Sequence, residues 1–376
     1  MTALVSQLFL QHYWWIIISL LAGLLVLLMF VQGGQSFIFS LPGSDIHKTM
    51  LVNALGRKWE FTFTTLVTFG GAFFASFPLF YATSFGCAYW VWIAILFSFI
   101  IQAVAYEYRS KPRNIFGQKT FDIFLLINGS LGPFLIGVAV ATFFTGSQFT
   151  LNNMNQVKWS TSWYGLEALL NIRNLSLGLA VLFLSRVNGL LYIMNSISNP
   201  DLYYRSVRKL LLNSLPFLFF FLFFVISLLF SSGFAADPST GTITIEKYKY
   251  FHNFIEMPVV LILFLIGVTG VLYGIGISIF MKSFSGIWYS GAGTVLAVFA
   301  LFLTAGFNGT SFYPSSYDLQ SSLTIQNASS SYFTLKTMTY VSFIIPLVLG
   351  YIWYAWKAIN DRKITPEEMM TEEHKY

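Results

Sequence analysis

The stretch YWVWIAILFSFIIQAVAYEYRSK, Tyr89 to Lys111, places a long apolar run directly before a cluster of charges. A helix needs about twenty apolar residues to cross the hydrocarbon core of a bilayer, and this run is long enough. Glu107, Arg109 and Lys111 then mark where the helix meets water. Glu107 has two interpretations: an interfacial residue at a helix end, or a carboxylate at the mouth of a path for protons.

The whole chain has the composition of a polytopic membrane protein. Of its 376 residues, 56% are hydrophobic and 10% are charged, against about 25% charged residues in soluble proteins. The net charge of +6 is compatible with a nucleic-acid partner, but in a membrane protein excess Lys and Arg more often reports orientation, so we expect no nucleic-acid partner. The single cysteine, Cys87, excludes a disulfide within the chain and a thiolate metal cluster.

Nine segments are apolar and long enough to be transmembrane helices. They lie at residues 13–32, 61–84, 86–106, 121–145, 164–186, 208–233, 252–281, 287–307 and 333–357. Because backbone groups in lipid must pair within their own segment, each segment is expected to be helical. The sequence therefore predicts an all-α fold of nine spans, with residues 1–376 forming one integral-membrane domain.

The distribution of basic residues predicts the orientation. With the N-terminus outside, sixteen of the 21 Lys and Arg residues fall on the cytoplasmic side, four fall outside, and Arg173 lies within the fifth span. Cytoplasmic loops of membrane proteins carry this excess of positive charge. We therefore expect the N-terminus outside and the C-terminus inside, with residues 363–376 as a cytoplasmic tail. The longest loops are residues 34–60, inside, and 308–332, outside.

Five carboxylates lie within or at the ends of the predicted spans, where ionisable groups are costly and often functional. Three of them, Glu60, Glu107 and Asp122, open or close neighbouring spans at the inner boundary. Ser110, one turn beyond Glu107, could hold a water. These four residues are candidates for a proton path; the alternative is that each acid pairs with a nearby Lys or Arg. The other two acids are Glu167, six residues before Arg173 in the fifth span, and Glu256, one turn after His252.

The first span ends in FVQGGQS, Phe30 to Ser36, where paired glycines lie between Gln32 and Gln35. This pattern suits close helix packing, a helix C-cap, or a polar break near a solvent path. No histidine lies deep within a predicted span, so we expect no haem ligated by histidine and no metal site in this chain.

The chain resembles subunit II of the cytochrome bd-type quinol oxidases along nearly its full length. The segments that carry the resemblance are GGAFFASFPLFYATSF (70–85), YEYRSK (106–111), NGSLGPFLIGVAVATFFTG (128–146), LTAGF (303–307), YPSS (313–316), SLTIQNASSSYFTLKTMTYVSFIIPLVL (322–349) and the closing DRKITPEEM (361–369). Their order and spacing, together with nine spans, agree with that family.

The resemblance implies a fold of two four-helix bundles plus one extra helix, in a bacterial cytoplasmic membrane. It implies that subunit I is the partner and carries two b-type haems, haem d and the quinol-oxidising loop. Subunit II would bind no haem, would wall in the oxygen-reducing centre, and would contribute to the cytoplasmic proton path and to oxygen access. Quinol and oxygen would be the substrates of the complex. A bound quinone and a small accessory subunit are left open.

Several positions depart from the family pattern. Gln32-Gly33-Gly34-Gln35 stands where the family often has an acidic segment, which puts that part of the proton path in question. Glu60 and Glu107 stand where the family often has Asp, and both keep a titratable group. Gln102 lies in Ile101-Gln102-Ala103, where the family has an arginine beside a proposed oxygen route, so Trp59 and Gln102 are candidates for that route.

Two alternatives remain at this stage. A secondary transporter with a midplane substrate site is one, although no matching broken helices and no mid-span coupling acid are evident. A purely structural subunit that shields a haem-bearing partner from lipid is the other.

Overall fold

A computed structural model describes residues 6–360 and 363–370, so residues 371–376 of the expected cytoplasmic tail lie outside the described part. The chain is mostly helical. The helices are α1 Gln7–Leu28, α2 Phe30–Gln35, α3 Asp45–Gly56, α4 Trp59–Ser76, α5 Pro78–Tyr81, α6 Tyr89–Tyr108, α7 Gln118–Thr145, α8 Ile172–Ser196, α9 Pro200–Leu229, α10 Lys249–Glu256, α11 Pro258–Phe280, α12 Gly286–Gly306, α13 Tyr332–Ser342 and α14 Ile345–Ile359.

Within the described residues, seven helices are long and apolar enough to cross a membrane, and an eighth span results if α13 and α14, bent by 41°, are counted as one. This establishes a multi-pass membrane protein. The remaining predicted span corresponds to α4, whose first half carries Glu60 and several threonines and which is not among the seven. Nine spans and their grouping into two four-helix bundles therefore stay predictions.

The fifth predicted span, residues 164–186, is displaced in the structure. Residues Leu166–Leu170 form a 3-10 turn, and α8 begins only at Ile172, because the Asn171 side chain accepts a hydrogen bond from the Arg173 amide at 2.9 Å and caps the helix. Glu167 consequently precedes the helix, and Arg173 lies in its first turn. The expectation that Glu167 lies within a span was wrong, whereas Arg173 lies within the span but at its start.

Glycines allow α2 to lie almost in backbone contact with α7 and α8. A Cβ atom built on Gly33 would lie 1.9 Å from the carbonyl oxygen of Ser185 in α8. A Cβ on Gly189 would lie 2.3 Å from the Gly34 nitrogen, and one on Gly129 of α7 would lie 2.6 Å from the Gln32 oxygen. Close helix packing, one of the interpretations of the Gly33-Gly34 pair, is therefore present, and it holds the short helix α2 between α7 and α8.

The all-α prediction missed two short antiparallel hairpins that follow α7 and α9. Their strands are β1 Phe149–Leu151 with β2 Val157–Trp159, and β3 Ser232–Ala236 with β4 Ile243–Lys247. Residues 308–331 pack on both: the Ser147 amide donates to the Pro314 carbonyl at 2.9 Å, and the Ala236 amide donates to the Gly309 carbonyl at 2.7 Å. We call residues 146–171, 230–248 and 308–331 together the cap.

The opposite end of the helices carries most of the basic side chains. It comprises residues 36–58, 109–117, 197–199 and 281–285, with the adjoining helix turns, and we call it the basic end. Here α3 is a separate helix, capped by the Ser44 side chain, which accepts from the His47 amide at 3.3 Å. Ser44 is therefore the N-cap of α3, and Asp45 is its first residue.

Candidate functional site

A chain of buried amide side chains lies between α2 and α6. The Gln32 Nε2 group donates to Gln102 Oε1 at 3.2 Å, and Gln102 Nε2 donates to Gln35 Oε1 at 3.0 Å. All three side chains are almost fully inaccessible to solvent. The structure thus joins the polar helix end, Gln32 and Gln35, to Gln102, which the sequence placed with a separate oxygen route.

Three further side chains, which the sequence analysis did not select, complete this network. The Tyr106 hydroxyl donates to Gln35 Oε1 at 3.0 Å, and Gln35 Nε2 donates to Asn128 Oδ1 at 2.5 Å. Asn128 in turn donates to Ser98 Oγ at 3.4 Å. Asn128 is a buried amide inside a span, and polar residues at that depth are the signal that would have identified it. Side chains of α2, α6 and α7 therefore form one polar core.

One atom of the network, Gln32 Oε1, has no hydrogen-bond partner among the described residues although it is buried. A buried acceptor without a partner costs about 1–3 kcal/mol, so such atoms in native proteins usually face a water or a ligand. Gln32 therefore presents an acceptor to any water that enters the core.

Asp122 lies at the basic end of this core, buried between two cations. Its Oδ1 accepts from Arg109 Nε at 2.7 Å, and its Oδ2 lies 3.2 Å from Lys48 Nζ. Asp122 and Arg109 are both nearly inaccessible to solvent. Asp122 therefore pairs with basic residues, as in the alternative in which each acid has a nearby Lys or Arg partner. Lys48, which lies in the connection between α2 and α4, is a partner that the sequence analysis did not anticipate.

Glu107 and Ser110 lie at the exposed end of α6. Glu107 Oε1 lies 3.1 Å from Lys111 Nζ, one turn along the helix, and both side chains are more than half exposed. An exposed pair of this kind contributes little to stability, about 0–1 kcal/mol. Glu107 is thus a surface carboxylate at the basic end, whichever of its two interpretations applies.

Glu60 and Trp59 begin α4 next to this end of α6. Glu60 is exposed in the first turn of α4. The Trp59 ring stacks on Tyr106, with 6.0 Å between ring centroids and 15° between planes. Tyr106 therefore links Trp59 to Gln35, and through Gln35 to Gln102, so the two residues of the candidate oxygen route lie on the same connected set of side chains.

Comparison with known proteins identifies the family. Residues 10–359 match the family described as cytochrome bd terminal oxidase subunit II. The chain belongs to this family.

Relatives and a solved structure agree with that assignment. The chain is 26% identical to cytochrome bd-I ubiquinol oxidase subunit 2 of Escherichia coli K12, covering 97% of this chain and 98% of the relative. It is also 26% identical to cytochrome bd ubiquinol oxidase subunit 2 of Bacillus subtilis, over 96% and 99%. The solved bd oxidase of Geobacillus thermodenitrificans contains a chain with the same fold: TM-score 0.60, 13% identity, and coverage of 93% of this chain and 95% of that chain.

Lys58, immediately before α4, is a further buried charge at the basic end of this family member. Its ammonium lies 4.1 Å from the Trp356 ring centroid, and Nζ has no hydrogen-bond partner among the described residues. Burial, and secondarily the charge of Arg57, lowers the pKa of Lys58 to about 8. Lys58 therefore loses much of its charge in mildly alkaline solution. Its partner is the Trp356 ring, through a cation–π contact, rather than a carboxylate.

A cavity of about 360 Å³ with a mixed polar and apolar lining lies at the cap end, away from the amide network. Its walls include Ser84, Trp92, Asn174, Tyr313 and Glu167. Both carboxylate oxygens of Glu167 are engaged, Oε1 by Trp159 Nε1 at 2.6 Å and Oε2 by the Gly165 amide at 3.0 Å. Glu167 therefore orders the loop after β2.

The described histidines all lie away from the centres of the spans. His12 lies near the start of α1, edge-on to Phe307, and His47 lies in α3, 3.6 Å from Asp201. His252 lies at the cap end, 2.6 Å from Glu246, and Glu256 instead accepts from Asn308 at 2.5 Å. The described residues contain no group of three or more His, Cys, Asp or Glu placed to hold a metal ion. His374 lies outside the described part.

Proposed function

We propose that this chain is the haem-free subunit II of a cytochrome bd-type quinol:oxygen oxidoreductase in a bacterial cytoplasmic membrane. The family match over residues 10–359 carries the proposal, and relatives named as ubiquinol oxidase subunits support it. In the complex, the chain supports a haem-bearing subunit I and contributes to proton delivery and oxygen access.

The positions of the histidines support the assignment of the haems to the partner subunit. A haem iron needs a well-placed axial ligand, commonly the imidazole of a histidine. His12, His47 and His252 lie near helix ends or outside the spans, and two of them face carboxylates. The two b-type haems and haem d are accordingly bound by subunit I, and this chain provides a wall for their site.

The basic end is the cytoplasmic end in this proposal, so the N-terminus is outside and the C-terminus inside. Lys48, Arg57, Lys58, Arg109 and Arg186 all lie towards that end, as expected for the side that retains positive charge. Glu60 and Glu107, both exposed there, take up protons from the cytoplasm.

The proton path then continues past Ser110 and Asp122 into the amide network. Carboxylates accept and release protons, whereas glutamine and asparagine side chains do not titrate and instead orient waters through their N–H and C=O groups. Gln32 Oε1, buried and without a partner among the described residues, is one such acceptor. Gln32 and Gln35 thus give this part of the path a polar lining.

Oxygen access is proposed along Trp59 and towards Gln102. The Trp59 and Tyr106 rings stack and form an aromatic surface beside the first turn of α4. Oxygen is small and apolar, so an aromatic surface suits its passage better than the charged group formed by Asp122, Arg109 and Lys48.

Purification of the tagged chain tests the function. We expect a haem-bearing second subunit to co-purify, and we expect the complex to give haem d bands in a reduced-minus-oxidised spectrum and to oxidise quinol with oxygen. The chain purified without its partner should give no haem spectrum. Stoichiometric haem in the isolated chain, or a haem-free single subunit as the native particle, would contradict the proposal; the second result would support the transporter alternative.

Replacing Glu107 or Glu60 with glutamine tests the proton path. Shape is nearly preserved and both side chains are exposed, so haem content should stay normal while quinol oxidase turnover falls, on the order of tenfold if about 1.4 kcal/mol is added to the limiting barrier. If both residues act in one series, the double variant should be little slower than the slower single variant.

The matched control is Asp237→Asn, which removes an exposed carboxylate from the cap. Its turnover should equal that of the unmodified complex. Full turnover of Glu60→Gln/Glu107→Gln would refute the path, and loss of haem in Glu107→Gln would return Glu107 to a structural role at the helix end.

A further inference from the structure

Three cations lie together at the basic end of α8 and α9 without a carboxylate. They are Arg186 of α8 and Arg208 and Lys209 of α9, and none of them forms an ion pair with an acid in the described part of the chain. Their neighbour Arg205 differs, because its Nε donates to Asp201 Oδ2 at 2.9 Å. The local charge of +3 is therefore not balanced by the described residues.

Two of the three cations, Arg186 and Lys209, lie over the same aromatic ring. The Arg186 guanidinium lies 5.0 Å and the Lys209 ammonium 5.8 Å from the centroid of the Phe37 ring. Arg186 Nε also donates to Ser36 Oγ at 3.0 Å, which fixes its side chain. Lys209 is near enough to Arg186 and Arg208 to be repelled by both. Cations held this close without a counter-charge favour an anion between or beside them.

The positions of the three cations along α8 and α9 match the level of a membrane interface. Arg186 lies ten residues before the end of α8, and Lys209 lies nine residues after the start of the antiparallel helix α9. Before this level the exposed face of α9 carries Tyr204 and Arg205. After it the exposed side chains are apolar, as at Leu211, Leu212, Leu215, Phe219, Leu222 and Ile226.

We propose that Arg186, Arg208 and Lys209 bind the phosphate of an anionic phospholipid whose acyl chains lie along the apolar face of α9. A guanidinium matches two phosphate oxygens with parallel N–H groups, and the ammonium of Lys209 adds a point charge. Basic clusters between helices at this level of a membrane protein suit anionic headgroups. The same apolar face that follows the cations provides the surface for the chains of the lipid.

Lipid binding to the purified oxidase complex tests this site. Dioleoyl-phosphatidylglycerol, dioleoyl-phosphatidylcholine and inorganic phosphate are titrated separately, and bound lipid is counted by native mass spectrometry. Phosphatidylglycerol should bind in preference to the other two probes. Arg208→Gln/Lys209→Gln should bind it about thirtyfold more weakly, which corresponds to about 2 kcal/mol at about 1.4 kcal/mol per tenfold. The control is Arg205→Gln, which also removes a positive charge from α9. It should bind phosphatidylglycerol as the unmodified complex does.

The other outcomes overturn the proposal in distinguishable ways. Unchanged phosphatidylglycerol affinity in Arg208→Gln/Lys209→Gln would show that the lipid does not bind at these cations. Equal binding of inorganic phosphate would identify a site for free anions. Loss of the partner subunit from the double variant, with no change in lipid affinity, would show that a partner carboxylate is the counter-charge. Haem content and oxidase turnover are measured alongside, so that a failure of the proposed function is seen separately.

Discussion

Replacing Gly33 with alanine should prevent the chain from assembling into a stable complex. A Cβ atom there would lie 1.9 Å from the Ser185 carbonyl oxygen and 2.4 Å from the Arg186 nitrogen, and both atoms belong to the backbone of α8. No rotamer change relieves a backbone clash, so α2 and α8 must move apart. Overpacking a core costs about 1–3 kcal/mol or more. Here the overlapping atoms belong to the backbone, so no side-chain movement can relieve the overlap. The measurement is the yield of haem-containing complex in membranes and its thermal midpoint.

Gly276→Ala is the matched control. Gly276 also lies in a long apolar helix, α11, but a Cβ there meets nothing within 4 Å. Alanine is the better helix former, so this variant should assemble normally. Normal yield and thermal stability of Gly33→Ala would show that α2 and α8 do not pack as described.

Replacing Asp122 with asparagine should strongly destabilise the complex. The change leaves Arg109 buried without its counter-charge and removes the partner of Lys48. Breaking a buried ion pair from one side costs about 3–5 kcal/mol. We expect a large fall in assembled complex and a lower thermal midpoint, measured on membranes and on purified protein.

Two comparisons separate this effect from a role in proton transfer. Asp201→Asn removes an exposed carboxylate from its pair with Arg205, and should change stability by no more than about 1 kcal/mol. Asp122→Asn/Arg109→Gln removes both charges and should recover part of the assembled complex. Low turnover in that recovered complex would support a place for Asp122 in the proton path. A fully stable Asp122→Asn complex would contradict the structural role.

The sequence predicted the membrane class and most spans because apolar length is a local property. It failed at the fifth span, where Leu166, Leu169 and Leu170 extend an apolar run that the structure breaks with a 3-10 turn. The Asn171 side chain decides that boundary by capping α8. A hydropathy count gives no weight to such a cap, so the helix was started too early and Glu167 was placed in lipid.

The sequence predicted which residues belong to the candidate site better than it predicted the hydrogen bonds and ion pairs between them. Gln32 and Gln35 were selected for one reason and Gln102 for another, and the structure joins them through hydrogen bonds that depend on the rotation of α2 and α6 about their axes. Tyr106 and Asn128 were missed because neither is charged. The partners of Asp122 were open for a different reason: Arg109 is near in sequence, but Lys48 is brought to Asp122 only by the path of the chain between α2 and α4.

The cap has a consequence for biogenesis. The backbone of Ser147 pairs with that of Pro314, the Ser76 carbonyl accepts from the Ser330 amide at 2.8 Å, and Gln11 Nε2 donates to Ser329 Oγ at 2.6 Å. During translation Ser147 leaves the ribosome some 167 residues before Pro314. At about 5–20 residues per second this is a delay on the order of ten to thirty seconds. Residues 146–171 and 230–248 of the cap therefore cannot complete their pairing until residues 308–331 have been synthesised, and a chain truncated before that segment would lack a closed cap.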